Sequence, residues 1–387
     1  MNTIALDVRY HMQDTVEYCG PAVAMMILEY VDGQVVQQDV LWPVLHGHSE
    51  KGWSTSPTGL AYGLNFFAPA PYCDTFVVEG CSTQCGASEL LVQLLAHPDA
   101  VPPAVLWDCS HWIVISGVQT DVDPRTGQDY TINGYYYDSP VLVPKSAQTP
   151  PPHANDDCCG TKPIYGTPNE YITYTDWKNG FDGCVDDGTR YYYVVCEELR
   201  ASTGRLKSQP PAHVVRNSDM LIGSADAQTD ALDGIREHGL DKSGPLAGAL
   251  AGVTTGDPIL VRRLDVLDTY YYLVPLLRDA VIHGYARVDA MHGNFLGVSA
   301  GDHVFDPIPT ADQIALLIRD AKGGSGDGAY RLRPGTYAVN PTPVWQRCYE
   351  AFSPYQPLYQ VAAGNRTLYA AADGTLYPSL TLPQRGE

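Results

Sequence analysis

Apolar and polar positions follow two periods along the chain, and the change of period marks out its elements. The run AVAMMILEYV, opened by Gly20-Pro21 and closed by Gly33, predicts a buried helix. Proline suits a first helical position because its missing N–H would be unpaired there, and glycine suits the residue that ends a helix. Further helices are expected over residues 56–66, behind Ser56-Pro57, and over 87–96. Strand patterns then take over in AVLW, HWIVISGV, YTINGYYYD and RYYYVVC. Beyond residue 230, helical patterns recur at 231–238 and 245–252. Strands follow in PILVRRLDV, YYYLVPLL, VIHGYARVDA and NFLGVS.

Between these halves the stretch 201–227 is polar and holds Pro210-Pro211, the composition of a linker. The expected organisation is a first domain over 1–200, a linker over 201–227 and a β-rich domain over 228–387. Two segments of the second half share a strand, turn, strand, tight turn, strand pattern: YYLVPLL with HGYARVDAMHGNFLG, and PLYQVAAGN with RTLYAAADGTLYPSL. Asp373-Gly374 is a hairpin signal in the later one. A duplication and two ordinary meanders account for this equally well.

Composition narrows the function. Apolar residues make up 44% of the 387 positions and charged residues 18%, so a sizeable core is expected rather than disorder. A net charge of −20 argues against nucleic acid and anionic membranes as partners. No apolar run reaches the ~18 residues that span a bilayer. The N-terminal residues lack a basic segment followed by an apolar one, so no signal peptide is expected and the expected location is cytoplasmic. Ten cysteines admit buried thiols and a few disulfides. Cys81 and Cys85 form a CxxxC with no second half, a poor zinc signature, so neither metal nor cofactor is expected.

Candidate chemistry centres on Cys19. A thiol attacks a carbonyl as thiolate, and unpaired amides at a helix N-terminus favour that form. Cys19 stands at the start of the predicted helix. A histidine base is expected from a rigid element, and His111 opens the strand HWIVISGV. Its orienting partner should be an Asp or Asn. Asp138 ends the strand YTINGYYYD; folding the two strands about Pro124-Arg125 sets it opposite His111. Asn133 is the second choice, further down the strand. The Cys19 N–H and the Gln13 amide are candidate oxyanion donors.

Other groups carry less. His46 and His48, near Trp42, fit a surface loop or the rim of a cleft. His283, His292 and His303 are scattered over strands and turns. The triple tyrosines at 135–137, 191–193 and 270–272 suit strands. Trp112 is expected either to shield the Cys–His pair from water or to fill the core.

The sequence Gln13…YCGPAVAMMIL, then GWSTSPTGLAYGLNFF, PAVLWDCSHWIVISGV and YYYDSP, resembles the papain-like cysteine peptidases of the bacteriocin-leader-processing type, and most of all their free-standing bacterial members. The resemblance covers residues 5–195. It implies an α+β papain-like domain with a nucleophile helix on an antiparallel sheet. It also implies Cys19 as nucleophile, His111 as base, Asp138 as orienter and Gln13 in the oxyanion hole. The chain lacks the phosphate-binding loop and membrane spans of the transporter-fused members. The expected activity is hydrolysis of a peptide or isopeptide bond in a peptide or protein substrate, through an acyl-thioenzyme. Two alternatives stay open: an acyltransferase or amidase of the same fold, and a non-catalytic peptide-binding protein.

Overall fold

The computed structural model describes residues 1–107, 109–140, 167–186, 188–198, 221–266, 269–301, 304–320, 341–346, 348, 350–351, 353–363 and 366–382. In the first half, β1 (Asn2–Ala5) is followed by α1 (Cys19–Asp32), α2 (Gln38–Gly47), α3 (Pro57–Phe67), β2 (Phe76–Cys81) and α4 (Gln84–Ala96). Then come β3 (Ala104–Trp107), β4 (His111–Thr120), β5 (Ile132–Ser139), β6 (Thr167–Thr173), α5 (Tyr174–Gly180), β7 (Cys184–Asp186) and β8 (Thr189–Glu197). The second half opens with α6 (Ser224–Glu237), α7 (Ala247–Leu250), β9 (Thr254–Thr255), β10 (Ile259–Arg263) and β11 (Tyr270–Arg278). It continues through β12 (Val281–Asp289), β13 (Phe295–Ala300), α8 (Ala311–Asp320), β14 (Thr342–Trp345), β15 (Leu358–Ala363), β16 (Arg366–Ala370) and β17 (Leu376–Tyr377).

The architecture is mixed α+β, as expected. Helix α1 ends on Gly33 at φ 69°, and Ser56 caps α3 by accepting from the Gly59 N–H. The expected linker falls partly on residues outside the described set. Its last residues, from Ser224 on, already belong to α6, which begins seven residues before the expected helix at Ala231. Asp226 there reaches back to the Gly223 N–H at 3.3 Å, an N-terminal signal lying inside the polar stretch.

Strand β4 lies at the centre of the first half. It pairs with β1 and β3 along one edge and with β5 along the other. Beyond β5 the sheet continues through β6 to β13, where Gly297 faces Ile172 and Val298 faces Tyr171, then on to β12 and β11. One sheet therefore joins the two halves.

Each face of β4 serves a separate core. Trp112 and Val114 pack with α1 residues, Cys19 among them. Ile113 and Ile115 pack with α4 and with Trp177 and Phe181. Further along the first of these faces, Tyr136 and Tyr171 join a cluster with Ala227, Ala231 and Ile235 of α6.

Candidate active site

Cys19 is the first residue of α1 and is fully buried. Helix α1 is buried almost continuously from Cys19 to Leu28, which accounts for its apolar sequence. Its first turn is held by a close contact. A Cβ on Gly20 would stand 2.5 Å from Thr55 Oγ1, so only glycine lets the helix approach this segment. The Thr55 carbonyl in turn accepts the indole N–H of Trp112 at 2.9 Å. Trp112 is adjacent to His111, so one residue links the helix of the candidate nucleophile to the strand of the candidate base. Trp112 is fully buried and belongs to the core.

His111 occupies the first position of β4, against Trp107 of β3. Side chains alternate along a strand, so His111 turns to the face of Ile113, away from Trp112. Its Nε2 shares a 3.0 Å hydrogen bond with Ser139 Oγ. Two residues earlier, Cys109 is bonded to Cys184, and this disulfide ties the turn before His111 to β7. Disulfides persist chiefly in oxidising compartments, which bears against the cytoplasmic expectation.

The expected register is shifted. Asp138 faces Val114, not His111, and β4 is irregular between Ile115 and Gly117 and between Gln119 and Thr120. These irregularities break the simple pairing sum on which the expectation rested. Asp138 therefore lies on the Trp112 face and the next residue, Ser139, meets the imidazole. The Asp138 carboxylate accepts the Asn169 N–H at 2.7 Å. Burial pushes its pKa up to about 7, against smaller lowering effects of Asn169 and the Ser116 hydroxyl. Asn133 lies near the far end of the same strand.

Gln13 is fully buried, and its Nε2 donates to the Thr15 carbonyl at 2.9 Å. Its backbone N–H donates to Pro140 O at 2.9 Å, and Tyr10 Oη donates to Ser139 O at 3.1 Å. The loop before α1 is thus fastened to the end of β5. Ser139 was missed in the sequence because a serine beside a candidate aspartate carries no signal of its own.

A cleft of about 190 Å³ opens beside the imidazole, lined by Trp107, His111, Ser139 and Glu170 from the first half and Arg287 and Trp345 from the second, among others. His46 and His48 lie apart from it, stacked on Trp42 and Tyr62. His283 bonds Arg278 and His292 bonds Asp289, each local, while His303 is outside the described residues. Burial pushes the thiols of Cys196 and Cys348 up to about 12, so neither is a thiolate near neutrality. Among the described residues, no three His, Cys, Asp or Glu side chains gather as a metal site requires. Nor is any helix among them long and apolar enough to cross a membrane.

No family model matches this chain, and neither a curated protein nor a solved structure matches it.

Proposed function

We propose that the chain is a thiol hydrolase acting on a peptide or isopeptide bond, with Cys19 as nucleophile and His111 as base. The observation that carries this reading is the contact path from Gly20 through Thr55 to Trp112, which holds the first turn of α1 against the Trp112 face of β4; His111, at the first position of that strand, has to turn round the strand's end to meet the thiol. A thiol in that turn lies among backbone N–H groups with no intrahelical acceptor, which favour its anion. The Cys19 thiolate attacks the carbonyl carbon. The C–N bond breaks as the imidazolium protonates the departing amine, and water hydrolyses the thioester. Gln13 holds the Thr15 carbonyl with one of its two amide N–H groups and has the second for the oxyanion. In this reading Ser139, whose hydroxyl bonds the imidazole, takes the orienting role expected of Asp138. An acyltransferase differs only in the acceptor that replaces water.

A second reading has its own observation. Ser139 Oγ bonds His111 Nε2 inside the cleft, while Cys19 does not line it. A hydroxyl so placed is a nucleophile candidate with the same base.

One experiment separates the two. The full chain is treated with the small activated ester p-nitrophenyl acetate across pH, and the acetylated residue is located by mass spectrometry. The thiol reading expects acetyl on Cys19, none there in Cys19→Ala, and a loss of ~10²-fold or more in His111→Ala. Acetyl on Ser139 establishes the second reading instead. Acetyl on neither residue removes both and leaves the non-catalytic binding protein.

A further inference from the structure

The far wall of the cleft is built by the second half of the chain. Arg287 comes from β12 and Trp345 from β14, and both line the space that His111 faces. The Arg287 side chain is nine-tenths buried. Its Nη2 donates to Asp176 at 2.7 Å, and the guanidinium lies over Tyr355, 5.1 Å from the ring centre. Its Nε–H is buried without a hydrogen-bond partner among the described residues, and so is the Nε1–H of Trp345. Arg263, in the same wall, closes on Asp265 through Nε at 2.9 Å.

A buried N–H without an acceptor costs about 1–3 kcal/mol, and folded proteins hold few of them. Two such donors on one cleft mark a place where acceptor oxygens belong. The charges there favour a neutral acceptor, because Asp176 already compensates Arg287 and Asp265 compensates Arg263. A peptide carbonyl is neutral and accepts well.

We infer that this cleft is the subsite for the leaving-group side of a peptide substrate, with Arg287 Nε and Trp345 Nε1 donating to its main-chain carbonyl oxygens. The inference rests on the thiol hydrolase reading. There the histidine returns its proton to the departing amine, so the amine side of the scissile bond lies against the imidazole, where the cleft begins. An amine that replaces water as acceptor enters by the same route, since the reverse step uses the same contacts.

Transfer to an amine tests it in the full chain. Cys19 Sγ attacks p-nitrophenyl acetate, p-nitrophenolate leaves, and the acetyl group remains as a thioester. Glycinamide then attacks through its amine. The C–S bond breaks, the amine proton passes to the imidazole, and N-acetylglycinamide departs from the thiolate; water gives acetate in competition. The rate at which preformed acetyl-enzyme decays to N-acetylglycinamide is measured against amine concentration. The control is 2-methoxyethylamine, which has no carbonyl. Starting from the acetyl-enzyme makes this rate independent of acylation.

A rate that saturates is expected for glycinamide and a linear one for the control. Trp345→Phe keeps the ring and removes the N–H, and should weaken half-saturation about tenfold, the loss of one hydrogen bond. Arg287→Lys should move it the same way, with thermal unfolding of both variants confirming that they fold. A linear rate for wild type with glycinamide, or unchanged half-saturation in Trp345→Phe, overturns the subsite while leaving the hydrolase reading standing. Failure to form the thioester at Cys19 overturns both.

Discussion

Asp138 shows how a single residue's position on a strand decides its chemistry. As an ionised orienter it would need the imidazole of His111, but its carboxylate faces the opposite side of the sheet and is fully buried. Burial raises its folded pKa from 3.8 to about 7. A carboxyl raised in the folded state binds more protons there than in the unfolded chain between these two values. Its contribution is therefore most favourable below about pH 4 and falls as pH rises towards 7. Asp138→Asn keeps an oxygen for the Asn169 N–H and removes the ionisation. Its stability relative to wild type should rise across that window and level off above it, as measured by urea unfolding at a series of pH values. A difference that stays flat, or shrinks with rising pH, would show that the carboxyl is ionised and well paired. The sequence made Cys19, His111, Asp138 and Gln13 conspicuous by residue type and spacing. It did not show which of Asp138 and Ser139 meets the ring, because one irregular residue in a strand exchanges its faces.

At the level of elements, sequence patterns served well where the local signals were complete. The capping Ser56-Pro57 pair, the left-handed Gly33 and the apolar strands β4 and β5 all lie where their patterns place them. Helix α2 was not legible, because Pro43 stands inside it. Helix α5 is a single short segment directly after β6, capped by Thr173, and had no periodic run to announce it. For the proposed thiol chemistry the element that matters most is α1, and its placement depends on Gly20. Gly20→Ala would bring a Cβ to 2.5 Å from Thr55 Oγ1 and 2.6 Å from Thr55 Cβ. Either the helix or the Thr55 segment must move, straining the bond from Trp112. A loss of about 1–3 kcal/mol is expected, as for other overpacked sites. Thr55→Gly should relieve it, so the double variant should be more stable than the sum of the single changes predicts. Strict additivity in chemical denaturation would show that this contact does not hold the helix.

At the scale of the whole molecule, the two halves were expected to fold separately, on the strength of a polar, proline-containing stretch between them. That signal concerns chain composition alone and is blind to strands that pair after the chain returns. Here β6 and β13 are hydrogen-bonded neighbours, and Tyr136 and Tyr171 of the first half are buried under α6 of the second. Polar links cross the same boundary. Gln119 Nε2 donates to the His238 carbonyl at 2.7 Å, and Asp176 is paired with Arg287. Cutting the chain within the stretch 201–220 and separating the products would uncover both tyrosines, at a cost of about 2–3 kcal/mol each. It would also leave the edge of β6 unpaired, a surface prone to aggregation. The residues 1–200 produced alone should therefore melt well below the full chain or aggregate. Mixing with residues 221–387 should restore the full-chain melting temperature at stoichiometric ratio. The wall of the cleft formed by Arg287 and Trp345 should return with it, so that transfer to glycinamide saturates again. A first half that melts as high as the intact protein, and gains nothing on mixing, would mean that the shared sheet and the tyrosine cluster contribute little. The halves would then be independent units that merely adjoin.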